Sequence, residues 1–160
     1  MAIKVIELHH HGIRIGTTPD QVEQARQFYT DVLGLQPDPQ RPVLRGVPGF
    51  WMFVGDEKHT ASIHLMGATG ISPLARSAKE DPTLPHVALA VEDIQEAKRE
   101  LQARGIWFWQ IQGLVGENSD QVFVEDPSGN VIELHQIGTC RCNKAAFSKK
   151  DETTRGTEGT

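Results

Sequence analysis

His86-Val87-Ala88-Leu89-Ala90-Val91 decides the fold, because the chain has already run through the same pattern once, as His10-His11-Gly12-Ile13-Arg14-Ile15. Both stretches have strand character, and each leads into a helix start. In the first copy Thr18 is an N-cap with Pro19 at the first helical position and Gln21 three residues past the cap; in the second, Asp93 is followed three residues on by Glu96. Apolar residues then recur at helical spacing: Val22, Ala25, Tyr29, Val32 and Leu33 in one copy, Ile94, Ala97 and Leu101 in the other. Each helix therefore has one face to bury, and Gly34 and Gly105 are placed to end them. Runs rich in β-branched and aromatic residues follow, at 50–54 and 61–66 in the first half and at 106–112, 121–125 and 131–136 in the second. Asp126-Pro127-Ser128-Gly129-Asn130 reads as a tight turn between the last two.

This plan predicts an α+β fold of two βαβββ modules, residues 1–66 and 83–137, joined by a Gly-, Ser- and Pro-bearing linker over 67–82. A polar tail, 138–160, is expected to be disordered. The 160 residues suffice for one domain, or for two half-domains sharing a core. A formal charge of −5 and the lack of a Lys/Arg cluster argue against nucleic-acid and anionic-membrane partners and for a small-molecule substrate. No apolar run approaches the roughly 20 residues that span a bilayer, and residues 1–8 lack the layout of a secretion signal, so a cytoplasmic location is expected. Cys140 and Cys142 lie too close together for a disulfide framework and are expected to add nothing to the fold.

Strand alternation assigns the chemistry-bearing residues to faces. Val87, Leu89 and Val91 form the set that packs under the helix, leaving His86 on the other face. Aligning Ile13 and Ile15 with Leu89 and Val91 makes His10 the partner of His86, in preference to His9 or His11. In the last strand of each copy, Ile63-His64-Leu65 matches Ile132-Glu133-Leu134, which puts His64 and Glu133 on the face of His10 and His86. One histidine on a strand is more often hydrogen-bonded than a ligand. Four matched positions in a repeat, one of them a carboxylate that is costly to bury unpaired, point to a divalent cation.

These residues resemble the vicinal oxygen chelate superfamily, which includes glyoxalase I, methylmalonyl-CoA epimerase, extradiol ring-cleaving dioxygenases, fosfomycin-modifying thiol transferases and bleomycin-binding proteins. The most specific parts are Phe28-Tyr29-Thr30-Asp31-Val32-Leu33-Gly34-Leu35 and Val122-Phe123-Val124-Glu125-Asp126-Pro127-Ser128-Gly129-Asn130-Val131-Ile132-Glu133-Leu134. The resemblance implies a half-open mixed β-barrel with a divalent metal (Zn, Ni, Co, Mn or Fe(II)) inside, and its ligand positions fall on His10, His64, His86 and Glu133. It implies Lewis-acid stabilisation of an enediolate-type intermediate on a substrate with vicinal oxygens, with His64 and Glu133 moving protons. His64 is open to two roles: a fourth ligand, or a base beside a two-His-one-carboxylate triad of His10, His86 and Glu133.

The expected activity is that of a glyoxalase-like lyase or isomerase. The alternatives are an Fe(II) extradiol dioxygenase, which usually has a tyrosine where this chain has Phe123, and a metal-free binding protein of the bleomycin-resistance kind. Arg14, Trp51, Phe53 and Phe123 are the expected substrate contacts, on cavity-face parity, against ordinary roles as surface or core residues. Proteins similar to this one commonly form homodimers, and the linker permits an exchange of modules.

Overall fold

In a computed structural model of the chain, residues 1–55 and 61–138 are described. The first half runs β1 (Val5–Ile15), α1 (Pro19–Gln27), β2 (Gln36–Pro37), β3 (Gly49–Val54) and β4 (Ala61–Gly67). The second runs β5 (His86–Val91), α2 (Ile94–Ala103), β6 (Phe108–Gln112), β7 (Asp120–Glu125) and β8 (Val131–Gln136). The eight strands of the described residues join one mixed sheet in the order β2-β3-β4-β1-β5-β8-β7-β6. Within each half the opening strand is parallel to the closing one, β1 to β4 and β5 to β8, and the halves meet through the antiparallel pair β1·β5. The end strands β2 and β6 do not pair with each other, so the barrel stays half open.

Asp93 starts α2 by accepting from the backbone N–H groups of Gln95 and Glu96 at 2.8 and 3.0 Å. Its apolar stripe, Ile94, Ala97 and Leu101, packs on Val91, Val122 and Leu134 of the sheet. Fully burying such a Leu or Ile contributes about 1.5–3 kcal/mol. Ile132 and Leu134 join this cluster, leaving Glu133 between them on the opposite face of β8.

The first half is looser. Thr18 and Gln21 form the expected capping box, yet no residue of α1 is fully buried. Past Gln27 the helix widens into π turns over Phe28–Val32, with the Leu33 N–H donating to the Phe28 carbonyl. The added residue per turn rotates Val32 and Leu33 off the stripe, and they stand 67% and 50% exposed.

The inter-module segment is anchored by Asp81, which accepts from the N–H and Oγ of Ser72, the N–H and Oγ1 of Thr83, and Nη2 of Arg14 at 3.0 Å. Cys140, Cys142 and nearly all of the expected tail lie outside the described residues. No helix of the described residues is long and apolar enough to cross a membrane.

Candidate metal centre

The four matched residues come from the middle of the sheet. Gly12 of β1 lies opposite His64 on β4 and opposite His86 on β5, and Ala88 of β5 lies opposite Glu133 on β8. A Cβ at position 12 would stand 2.3 Å from Cε1 of His86, so glycine there is what lets the imidazole lean across β1. His10, one side-chain step earlier on β1, reaches the same space.

Three of the four converge tightly. His10 Nε2 lies 3.0 Å from His86 Nε2 and 3.4 Å from Glu133 Oε2, and His86 Nε2 lies 2.8 Å from the same oxygen. All three residues are at most 4% exposed. The remaining polar atoms are occupied: His86 Nδ1 lies 2.6 Å from the Leu84 carbonyl, to which it donates. Glu133 Oε1 accepts from Gln121 Nε2 at 2.7 Å and contacts His135. What faces the centre is therefore two imidazole nitrogens and one carboxylate oxygen, a set suited to a first-row divalent cation. The cavity there has about 20 Å³ of free space, enough for an ion or one water.

The protonation states agree with this fit. Burial pushes His10 down to about 3, despite the attraction of Glu133. Burial works to raise the Glu133 carboxyl, but His135, His10 and His86 together hold it well below the usual carboxylate range. Burial works to lower His86, and Glu133 overrides it, so His86 is raised. Glu133 is thus held ionised and His10 neutral, while the carboxylate favours positive charge beside it at His86, a place a bound cation would fill.

His64 stands apart from the trio. Its ring stacks on His10 at 3.7 Å and 17° and on Trp51, its cross-strand neighbour, at 4.1 Å and 6°. Imidazole lone pairs lie in the ring plane, so in this arrangement the two nearly parallel rings aim past each other. Its Nε2 is buried without a hydrogen-bond partner among the described residues, and the ring lines the cavity. Burial, with His10 second, holds its pKa well below the ordinary value, leaving it neutral.

The other expected contacts divide. Trp51 lines the cavity, and its Nε1 has no partner among the described residues. Phe123 is fully buried, stacked on Trp109 at 4.0 Å and edge-on to His86, behind the cavity wall. Arg14 is engaged with Asp81 and Thr83, and neither it nor Phe53 is among the residues lining the cavity. Gln121, His9 and His135, none of them an expected site residue, are all buried against His10, His86 and Glu133. The one signal available was His135, on the same face of its strand as Glu133. Leu44, Leu74, Leu114 and Val115 supply an apolar wall.

No curated protein matches the chain. Among solved structures, methylmalonyl-CoA epimerase from Mycobacterium tuberculosis is similar at 24% identity and a TM-score of 0.59, over 85% of this chain and 91% of that one. The Streptomyces coelicolor methylmalonyl-CoA epimerase in complex with 2-nitronate-propionyl-CoA is similar at 16% identity and a TM-score of 0.62, over 86% and 98%. The 2,3-dioxygenase LapB from Pseudomonas sp. KL28 shares 22% identity at a TM-score of 0.61, over 89% of this chain and 45% of that one. These likenesses carry the fold. A family profile matches residues 7–134, and on that match, across most of the repeated sheet, the chain belongs to the Glyoxalase/Bleomycin resistance protein/Dioxygenase superfamily.

Proposed function

We propose that the protein is a metal-dependent lyase or isomerase of glyoxalase type, cytosolic and homodimeric, acting on a small substrate with adjacent oxygens. The observation that carries this reading is the approach of His10 Nε2, His86 Nε2 and Glu133 Oε2 to within 3.4 Å of one another in a buried cavity. His10, His86 and Glu133 would hold the cation, and when bound it supplies Lewis-acid stabilisation of negative charge on the substrate oxygens. His64, neutral and with Nε2 unpartnered among the described residues, takes a proton from the substrate. Trp51 Nε1 and Gln121 Oε1, both buried without partners among the described residues, offer one donor and one acceptor to the substrate's polar groups. Leu44, Leu74, Leu114 and Val115 suit a substrate whose remainder is hydrocarbon, which enters as these side chains move aside.

The test is metal analysis joined to an isomerisation assay. One divalent ion per chain, with turnover of a 2-oxoaldehyde–thiol hemithioacetal or a 2-substituted acyl thioester, supports the reading; protein without stoichiometric metal after growth in metal-supplemented medium overturns it in favour of a binding protein.

A second reading, an Fe(II) ring-cleaving dioxygenase, is favoured by the two-His-one-carboxylate set. Phe123, opposite Glu133 on β7, offers no hydroxyl for that chemistry. Catechol-dependent oxygen uptake by the Fe(II)-loaded protein would establish it.

A further inference from the structure

β1 does not alternate strictly. Its register against β5 slips between Leu8 and His10, so that His9 and His10, adjacent in sequence, are both buried, at 0% and 2% exposure. A β-bulge re-aims a side chain at the expense of a ladder pairing. Here the re-aimed residue is His9, whose Nδ1 lies 2.8 Å from Nδ1 of His10, while its ring lies on that of His135 at 4.5 Å and 18°.

Two bare imidazole nitrogens repel, so one of the pair carries a proton. The other nitrogen of His10, Nε2, is the one facing His86 and Glu133, and as a cation ligand it is bare. A neutral imidazole with Nε2 bare has its proton on Nδ1. His10 therefore donates and His9 Nδ1 accepts. The other use of these rings, a second ion shared by His9, His10 and His135, fails on the face-to-face stacking of His9 and His135.

We propose that His9 is a positioning residue of the metal centre: it accepts the Nδ1–H of His10, selecting the tautomer with a bare Nε2 and fixing the direction of that lone pair. The inference rests on the metal-centre reading above. It also assigns the bulge a purpose, since strict alternation would turn His9 away from His10.

The test is titration of the metal-free full-length protein with Co(II), read by its visible absorption, for wild type, His9→Phe and His9→Asn. Phenylalanine keeps a buried ring against His135 but accepts nothing; asparagine places a carbonyl oxygen near the position of Nδ1. The expected result is affinity lower by roughly 10–100-fold in His9→Phe with an altered Co(II) spectrum, and recovery of most of both in His9→Asn. Wild-type affinity and spectrum in His9→Phe overturn the role of His9 while leaving the metal centre standing. Failure of the wild type itself to bind Co(II) overturns the metal centre, and this inference with it. Should His9→Phe not fold, His9→Asn is compared with His9→Gln, whose longer side chain carries its oxygen past the Nδ1 position: tighter binding by the asparagine variant supports the proposal, and equal binding overturns it.

Discussion

Gly12 shows how much of the site depends on single atoms. The His86 imidazole occupies the place a side chain at position 12 would need. In Gly12→Ala the added methyl costs about 1–3 kcal/mol of overpacking, and the ring is the part free to give way. Competition titration with a metal chelator should show divalent-metal affinity reduced roughly tenfold or more. His64→Gln should behave in the opposite sense, retaining metal while kcat falls by roughly 10²–10⁴-fold, because only the base is lost; loss of metal would instead make His64 a ligand. The convergence of His10, His86 and Glu133 was legible in the sequence because the repeat supplies each with a counterpart and strand parity fixes its face. His9 was not, because parity misreads a bulged strand, and the bulge has no marker in the His9-His10-His11 run. Gln121 was not, because its part is defined by the carboxylate on the neighbouring strand. Arg14 has cavity-face parity, but the buried Asp81 draws it to the linker, a long-range pairing that no local pattern carries.

At the scale of elements, the two helices share a sequence plan and differ in what they bury. α2 closes the core over Ile94, Ala97 and Leu101, whereas α1 leaves every residue at least partly exposed. Urea unfolding should show Leu101→Ala destabilised by about 2–5 kcal/mol. Val22→Ala, on the half-buried face of α1, should cost less than about 1 kcal/mol. The helices, their caps and the long strands were readable from period and capping residues. The π turns at Phe28–Val32 and the two-residue β2 were not, since both are set by how the chain leaves α1 toward β3 and have no periodic signature of their own.

At the scale of the whole molecule, the two halves are tied by β1·β5 pairing and by the Asp81 anchor beside the cavity. Burial by itself raises the Asp81 carboxyl, but the bonds donated by Ser72 and Thr83 outweigh it and hold it below the ordinary aspartate value. A carboxyl lowered in the folded state contributes stability that is full above the unfolded value, near about 3.9, and is lost as pH falls through the folded one. The stability gap between wild type and Asp81→Asn in denaturant titrations should therefore shrink as the pH is taken from about 6 to about 3; a constant gap would show that the carboxylate's charge is immaterial. For the proposed homodimer, sedimentation velocity should give twice the 17.7 kDa chain mass, and a single-chain mass would contradict it.

The central claim is that one cation is held by three named atoms from three strands, and anomalous diffraction from crystals of the Co(II)- or Zn(II)-loaded protein tests it most directly. The account predicts one strong peak about 2.0–2.2 Å from His10 Nε2, His86 Nε2 and Glu133 Oε2, with His64 outside bonding distance. A peak bonded to other residues, or no peak in protein that retains stoichiometric metal, would contradict it.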